Sequence, residues 1–145
     1  MVTGASRAEA ALLVIDAREG VQENSRRHAT MLTMLGVRQM AVLVNKMDLV
    51  GWSQMVFDRI CGEMRDFMAR LHIQAEAFVP VSGREGANLV SRSADMPWYA
   101  GPTVLQVLDG FVASPAPHFG HCGAGLSEVE RYSSYLSWHF SQRYS

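Results

Sequence analysis

The chain has 145 residues, 48% of them hydrophobic and 19% charged, with a formal net charge of −1. That length supports one domain with a buried core, and so balanced a charge supplies no global field toward nucleic acid or a membrane surface. Two cysteines, Cys61 and Cys122, make no disulfide framework, and there is neither a membrane-length apolar run nor a leader-like start, so the expectation is a cytoplasmic protein that binds no nucleic acid and no membrane.

In chain order, "AALLVI" (10–15) is an apolar run closed by Asp16 and is the first predicted strand. A helix follows over 25–35, where positions 28, 31, 32 and 35 share a face and Gly36 ends it. "MAVLV" (40–44), closed by Asn45, is the second strand. Ser53 is a good N-cap for a helix over 53–72, with a stripe at Val56, Ile60, Met64, Phe67, Met68 and Leu71. "AEAFVPV" (75–81), closed by Ser82, is the third strand, and Pro80 puts it at an edge or a strand end. A loop over 82–101 leads to a helix that starts at Pro102. Unbroken apolar runs suit strands buried on both faces, so the fold class is α/β, a parallel sheet with right-handed crossovers and flanking helices. Residues 110–145 differ: a Gly-, Pro- and Ala-rich linker, then an irregular or helical tail with a capping box at Ser127 and Glu130.

Ligands of open parallel sheets bind beyond the carboxyl ends of the strands. Asp16, Asn45–Asp48 and Ser82 all fall there. A carboxylate accepts two parallel hydrogen bonds, and guanine presents N1–H and N2–H₂ side by side, whereas adenine has no such pair. Asp48 is therefore the candidate for reading guanine, because the wrong base would leave a desolvated carboxylate unpaired. Asn45 carries a donor and an acceptor, enough to touch the base and brace neighbouring loops. The methylene stem of Lys46 is suited to lie along the base face while its ammonium stays wet. Ser82 is placed to hydrogen-bond Asp48, and the Gly83 N–H to meet guanine O6. Asn-Lys-x-Asp is the guanine-specificity motif of GTPases, and Ser82-Gly83-Arg84 forms the second polar strand end. The candidate nucleotide-binding residues are thus Asn45, Lys46, Asp48, Ser82, Gly83 and Arg84, with no candidate catalytic residue.

With these motifs the chain resembles translation-factor-type GTPases, and more narrowly the GTPase-subunit family of bacterial sulfate adenylyltransferase and its nodulation-associated relatives. The resemblance is carried by "VIDAREGVQENSRRH" (14–28), "VNKMDLV" (44–50), "FVPVSGREGANLVSRS" (78–93) and "MPWYAGPTVLQVLD" (96–109). It covers about residues 1–109. Pieces of it, "NKMD" above all, also occur in elongation factor 1-alpha, which keeps an elongation-factor fragment open as the alternative. A non-enzymatic remnant is the third reading. The second motif of the family usually reads Ser-Ala-x; Gly83 keeps the backbone N–H that the alanine supplies and loosens the loop.

The resemblance implies a P-loop-NTPase-type sheet, with 1–109 as the C-terminal half of a G domain and 110–145 as unmatched linker and tail. It implies GTP or GDP as ligand, magnesium in the intact domain, and the catalytic subunit of sulfate adenylyltransferase as partner in the intact protein. There, GTP hydrolysis is coupled to forming adenylyl sulfate from ATP and sulfate. The Gly-x-x-x-x-Gly-Lys-Ser/Thr phosphate loop does not occur in the 145 residues, and the one Asp-x-x-Gly, Asp48–Gly51, belongs to the Asn-Lys-x-Asp motif and is not the magnesium segment that precedes it in the family. The expectation is a truncated or frame-shifted product that retains base recognition and hydrolyses no GTP by itself.

His118, His121 and Cys122 match no strong zinc spacing. Cys61 reads as a small core residue, and Arg26 and Arg27 as a solvated helix face that could help dock the partner subunit in the full protein. Trp98 and Tyr99 read as packing anchors that seat the loop on the last helix. Met31, Met34 and Met40 read as core filler.

Overall fold

Three apolar runs become three parallel strands: β1 (Ala10–Asp16), β2 (Gln39–Asn45) and β3 (Ala77–Pro80), in the sheet order β1-β2-β3. The computed structural model describes residues 8–111. The register runs from Ala10 opposite Gln39 to Asp16 opposite Asn45, so two polar strand ends stand side by side. The β2–β3 ladder continues past the ends of β3, with Glu76 N–H donating to Met40 O (2.7 Å) and Val81 N–H to Val44 O (2.8 Å). Since the Val81 N–H points at β2, the missing N–H of Pro80 falls on the other side, where no ladder bond is lost. On that outer side the Pro80 carbonyl accepts from Asn88 Nδ2 (2.9 Å) and the Phe78 carbonyl from the Tyr99 hydroxyl (3.2 Å). Side chains of the following loop thus cover an edge that would otherwise be open to strand pairing.

The helices are α1 (Glu23–Met34), α2 (Gln54–Arg70) and α3 (Val104–Gly110). Side chains alternate across a strand, and both faces of this sheet are covered. On one face Leu12, Ala41, Leu43, Val79 and Val81 pack with Val104 and Val107 of α3. The alternate set, Leu13, Ile15, Met40, Val42 and Val44, is buried on the other face, the side of α1 and α2 with their buried Leu32, Ile60, Met64 and Met68. Two consecutive right-handed crossovers put both helices on that side. Arg65 of α2 lies 4.7 Å over the Phe78 ring, and Arg26 of α1 lies 5.9 Å over Phe67 of α2.

Helix ends follow local chemistry. The Ser53 side chain accepts the Val56 N–H, as the sequence suggests. α1 closes in a Schellman arrangement: Gly36 (φ 77°) donates to Thr33 O and Val37 to Leu32 O. α2 closes in the same way, with His72 (φ 57°) in the position that favours glycine. α3 starts at Val104 rather than at Pro102, because Thr103 is the N-cap of a complete capping box with Gln106.

Several packing expectations are revised. Met40 is buried, but Met34 is 82% exposed: it stands two positions, about 200°, around the helix from the buried Leu32. The buried stripe of α2 is centred on Phe57, Ile60, Cys61, Met64 and Met68, so Phe57 replaces Val56 as its first member. Trp98 sits on α2 rather than on the last helix. Its ring is 5.4 Å from that of Phe57, and its Nε1–H donates to Trp52 O (3.0 Å). Tyr99 bridges the two, 6.1 Å from Phe57 and packed against the cluster that contains Val104 and Val107. Burial pushes the Tyr99 phenol up to about 12, against the opposing pull of Arg92, so it remains a donor. Burial likewise pushes the Cys61 thiol up to about 12, against Arg65, so it behaves as a small apolar core residue. Arg26 and Arg27 are exposed, and Arg27 pairs with Glu23 one turn earlier (3.3 Å). Among the described residues no helix is long and apolar enough to cross a membrane. The capping box at Ser127 and Glu130, and His118, His121 and Cys122, lie outside the described residues.

Candidate functional site

The site is assembled where β2 ends. After Asn45 the chain turns at Lys46 (φ 64°) into one 3-10 turn, Met47–Val50, closed by Gly51 (φ 61°). A left-handed conformation costs a residue with a Cβ about 1 kcal/mol or more, so the surroundings must hold it. Met47 supplies the anchor: its side chain is fully buried, and its N–H donates to Val81 O at the end of β3 (3.2 Å). Ala17 N–H donates to Asn45 O (2.8 Å), which ties the turn to β1 as well.

Asn45 Oδ1 accepts two backbone N–H groups, from Lys46 (2.7 Å) and from Gly83 (2.9 Å). Two donors facing one atom identify that atom as the oxygen. The amide oxygen is therefore committed to bracing two loops, and the Nδ2 amine is the group that Asn45 can present.

Ser82 is fully buried. Its Oγ accepts the Glu85 N–H (3.2 Å) and donates its own proton to Asp48 Oδ1 (2.7 Å). The donor thus fixes one carboxylate oxygen and leaves the other, plus one lone pair on the first, for a ligand. Asp48 and Ser82 lie 34 residues apart in sequence and meet because parallel strands bring their carboxyl ends to one edge. Arg84 is exposed, its guanidinium 4.0 Å from the neighbouring Glu85 carboxylate. Asn45, Lys46, Asp48, Ser82 and Gly83 therefore converge, with the Arg84 side chain on the rim.

Two features differ from the sequence reading or lie outside it. The Gly83 N–H, expected at a base oxygen, donates to Asn45 Oδ1. Asn88 is the second. It is 1% exposed, takes φ 58°, donates Nδ2 to Pro80 O and accepts the Ser93 N–H on Oδ1 (2.8 Å). Its carbonyl accepts the Val104 N–H (3.0 Å). One residue thereby pins the loop that follows Ser82 to β3 through its side chain and to α3 through its backbone carbonyl. The signal available in sequence was an asparagine inside an apolar "ANLV" stretch.

Residues 1–114 match the family model of the elongation factor Tu GTP binding domain. The chain belongs to that family. Within it, the chain is 47% identical over 109 residues to the bifunctional enzyme CysN/CysC of Mycobacterium tuberculosis, covering 75% of this chain and 18% of that protein. It is 49% identical over 109 residues to sulfate adenylyltransferase subunit 1 of Laribacter hongkongensis, covering 75% and 23%. Among solved structures it is similar to Sup35 complexed with GDP, with a TM-score of 0.63, 30% identity, and 75% of this chain and 30% of that one covered. The GMPPNP complex of Sup35 gives a TM-score of 0.64 at 31% identity. The chain spans about a fifth of the length of the curated relatives it matches.

Proposed function

We propose that this chain is the base-recognition half of a G domain and that its site selects guanine nucleotides, with residues 1–109 as that half. The observation that carries the reading is the Ser82–Asp48 hydrogen bond (2.7 Å), which holds a carboxylate at the carboxyl edge of a parallel sheet with acceptor capacity to spare. Asp48 takes guanine N1–H and N2–H₂, and Asn45 Nδ2 faces the N7 acceptor. The Lys46 stem covers one face of the base, and the exposed Arg84 guanidinium the other. The O6 donor is the Arg84 N–H, which lies between two amides already committed, or the Gly83 N–H shared with Asn45.

In the intact family protein this half belongs to the GTP-binding regulatory subunit of sulfate adenylyltransferase, with the catalytic subunit as partner, in the cytoplasm. The 47–49% identity to sulfate-activating relatives favours this over a translation-factor fragment, for which Sup35 stands at 30–31%. Among the described residues no three His, Cys, Asp or Glu side chains gather to hold a metal. No step is assigned to magnesium. Contacts made to the base alone supply binding without lowering a chemical barrier.

Titrating the ¹⁵N-labelled chain with GDP and ADP tests the reading. GDP is expected to shift the amides of residues 45–48 and 82–85 with an affinity at least tenfold above that of ADP. Equal affinities would remove its basis.

A further inference from the structure

We propose that Asp16 is a positioning residue of the base site, holding the Lys46 ammonium so that the lysine stem stands as a fixed wall for one face of the purine. The inference rests on the guanine-site reading above and adds a residue that the Asn-Lys-x-Asp motif does not contain. Asp16 ends β1, directly opposite Asn45 in the register. Its Oδ2 lies 2.7 Å from Lys46 Nζ, with side-chain exposures of 9% for Asp16 and 34% for Lys46.

The carboxylate is itself held. Oδ1 accepts the Arg18 N–H (2.9 Å), and the Asp16 carbonyl accepts the Gly20 N–H (2.9 Å), which closes the turn after β1. The left-handed backbone of Lys46 turns its side chain across the end of β1 rather than onward along β2. A lysine stem has four rotatable bonds, and ordering it during binding would cost affinity. An ion pair formed before the ligand arrives meets that cost in advance. It also commits the ammonium to Asp16, so Lys46 acts on the base through its methylenes.

Lys46 is the single lysine of the chain, so selective ¹⁵N-lysine labelling reports this one ammonium. Asp16→Asn keeps an oxygen for the Arg18 amide and removes the charge. The wild type is expected to show a slowed-exchange Nζ signal that Asp16→Asn abolishes. Asp16→Asn and Lys46→Met should each weaken GDP about fivefold, and the double variant no more than either alone. The melting temperature should change little. An unchanged GDP affinity in Asp16→Asn would overturn the proposal, as would additive losses in the double variant. A much larger loss in Lys46→Met would also overturn it, because the ammonium would then touch the nucleotide itself. A wild-type chain that binds GDP no better than ADP would instead defeat the guanine reading and this inference with it, and that comparison separates the two failures.

Discussion

Asp48→Asn is expected to invert base preference from guanine to xanthine by about a hundredfold or more. An asparagine sets an amine against the guanine amino group, so two donors face each other where a charge-assisted pair stood. Each hydrogen bond to a charged group contributes about 1.5–3 kcal/mol, and a factor of ten corresponds to about 1.4 kcal/mol. Xanthine presents N1–H as a donor and O2 as an acceptor, which complements the amide. Ser82 need not change role, since its proton goes to Asp48 Oδ1 (2.7 Å) and an amide oxygen accepts it equally. The ratio of XDP to GDP affinity in the variant and the wild type measures the inversion. A variant that kept its preference for GDP would place guanine recognition elsewhere.

Asn88→Ala should be the most damaging single change to the scaffold. It strips a buried donor from the Pro80 carbonyl and a buried acceptor from the Ser93 N–H, and it leaves alanine at φ 58°. Buried partners left unsatisfied cost about 1–3 kcal/mol, and the left-handed backbone adds to this for alanine. The total is about 3 kcal/mol, or a melting-temperature drop of roughly 10 °C or more for a domain of this size. Asn88→Asp, which keeps the acceptor and loses the donor, should fall between. Thermal denaturation of the three chains checks the order, and a drop of less than about 3 °C for alanine would contradict it.

The strands were legible because each apolar run ends abruptly in a polar residue, and the parallel sheet follows from the order of strands and helices. From there the meeting of Asp48 with Ser82 needs only the rule that parallel strands share a carboxyl edge. What stayed hidden depends on backbone conformation and on loop path. Nothing in "VNKMD" announces that Lys46 turns left-handed, so its reach to Asp16 could not be read. A sequence does not show that Asn45 Oδ1 takes the Gly83 N–H, which a base oxygen would then have to share. Asn88 carries the loop, yet an asparagine becomes conspicuous only once it is seen buried at positive φ. Trp98 reads as an anchor from its type and place, but the path of residues 82–103 decides that the ring it meets is Phe57 of α2.

Inosine diphosphate isolates the pairing on which the account rests. Its base keeps N1–H and O6 and lacks only the 2-amino group, so comparing it with GDP weighs the second donor that Asp48 is held to accept. The wild-type chain should bind GDP about tenfold more tightly than IDP, and Asp48→Ala should bind the two alike. Equal affinity of the wild-type chain for GDP and IDP would contradict the assignment of Asp48 as the residue that reads guanine.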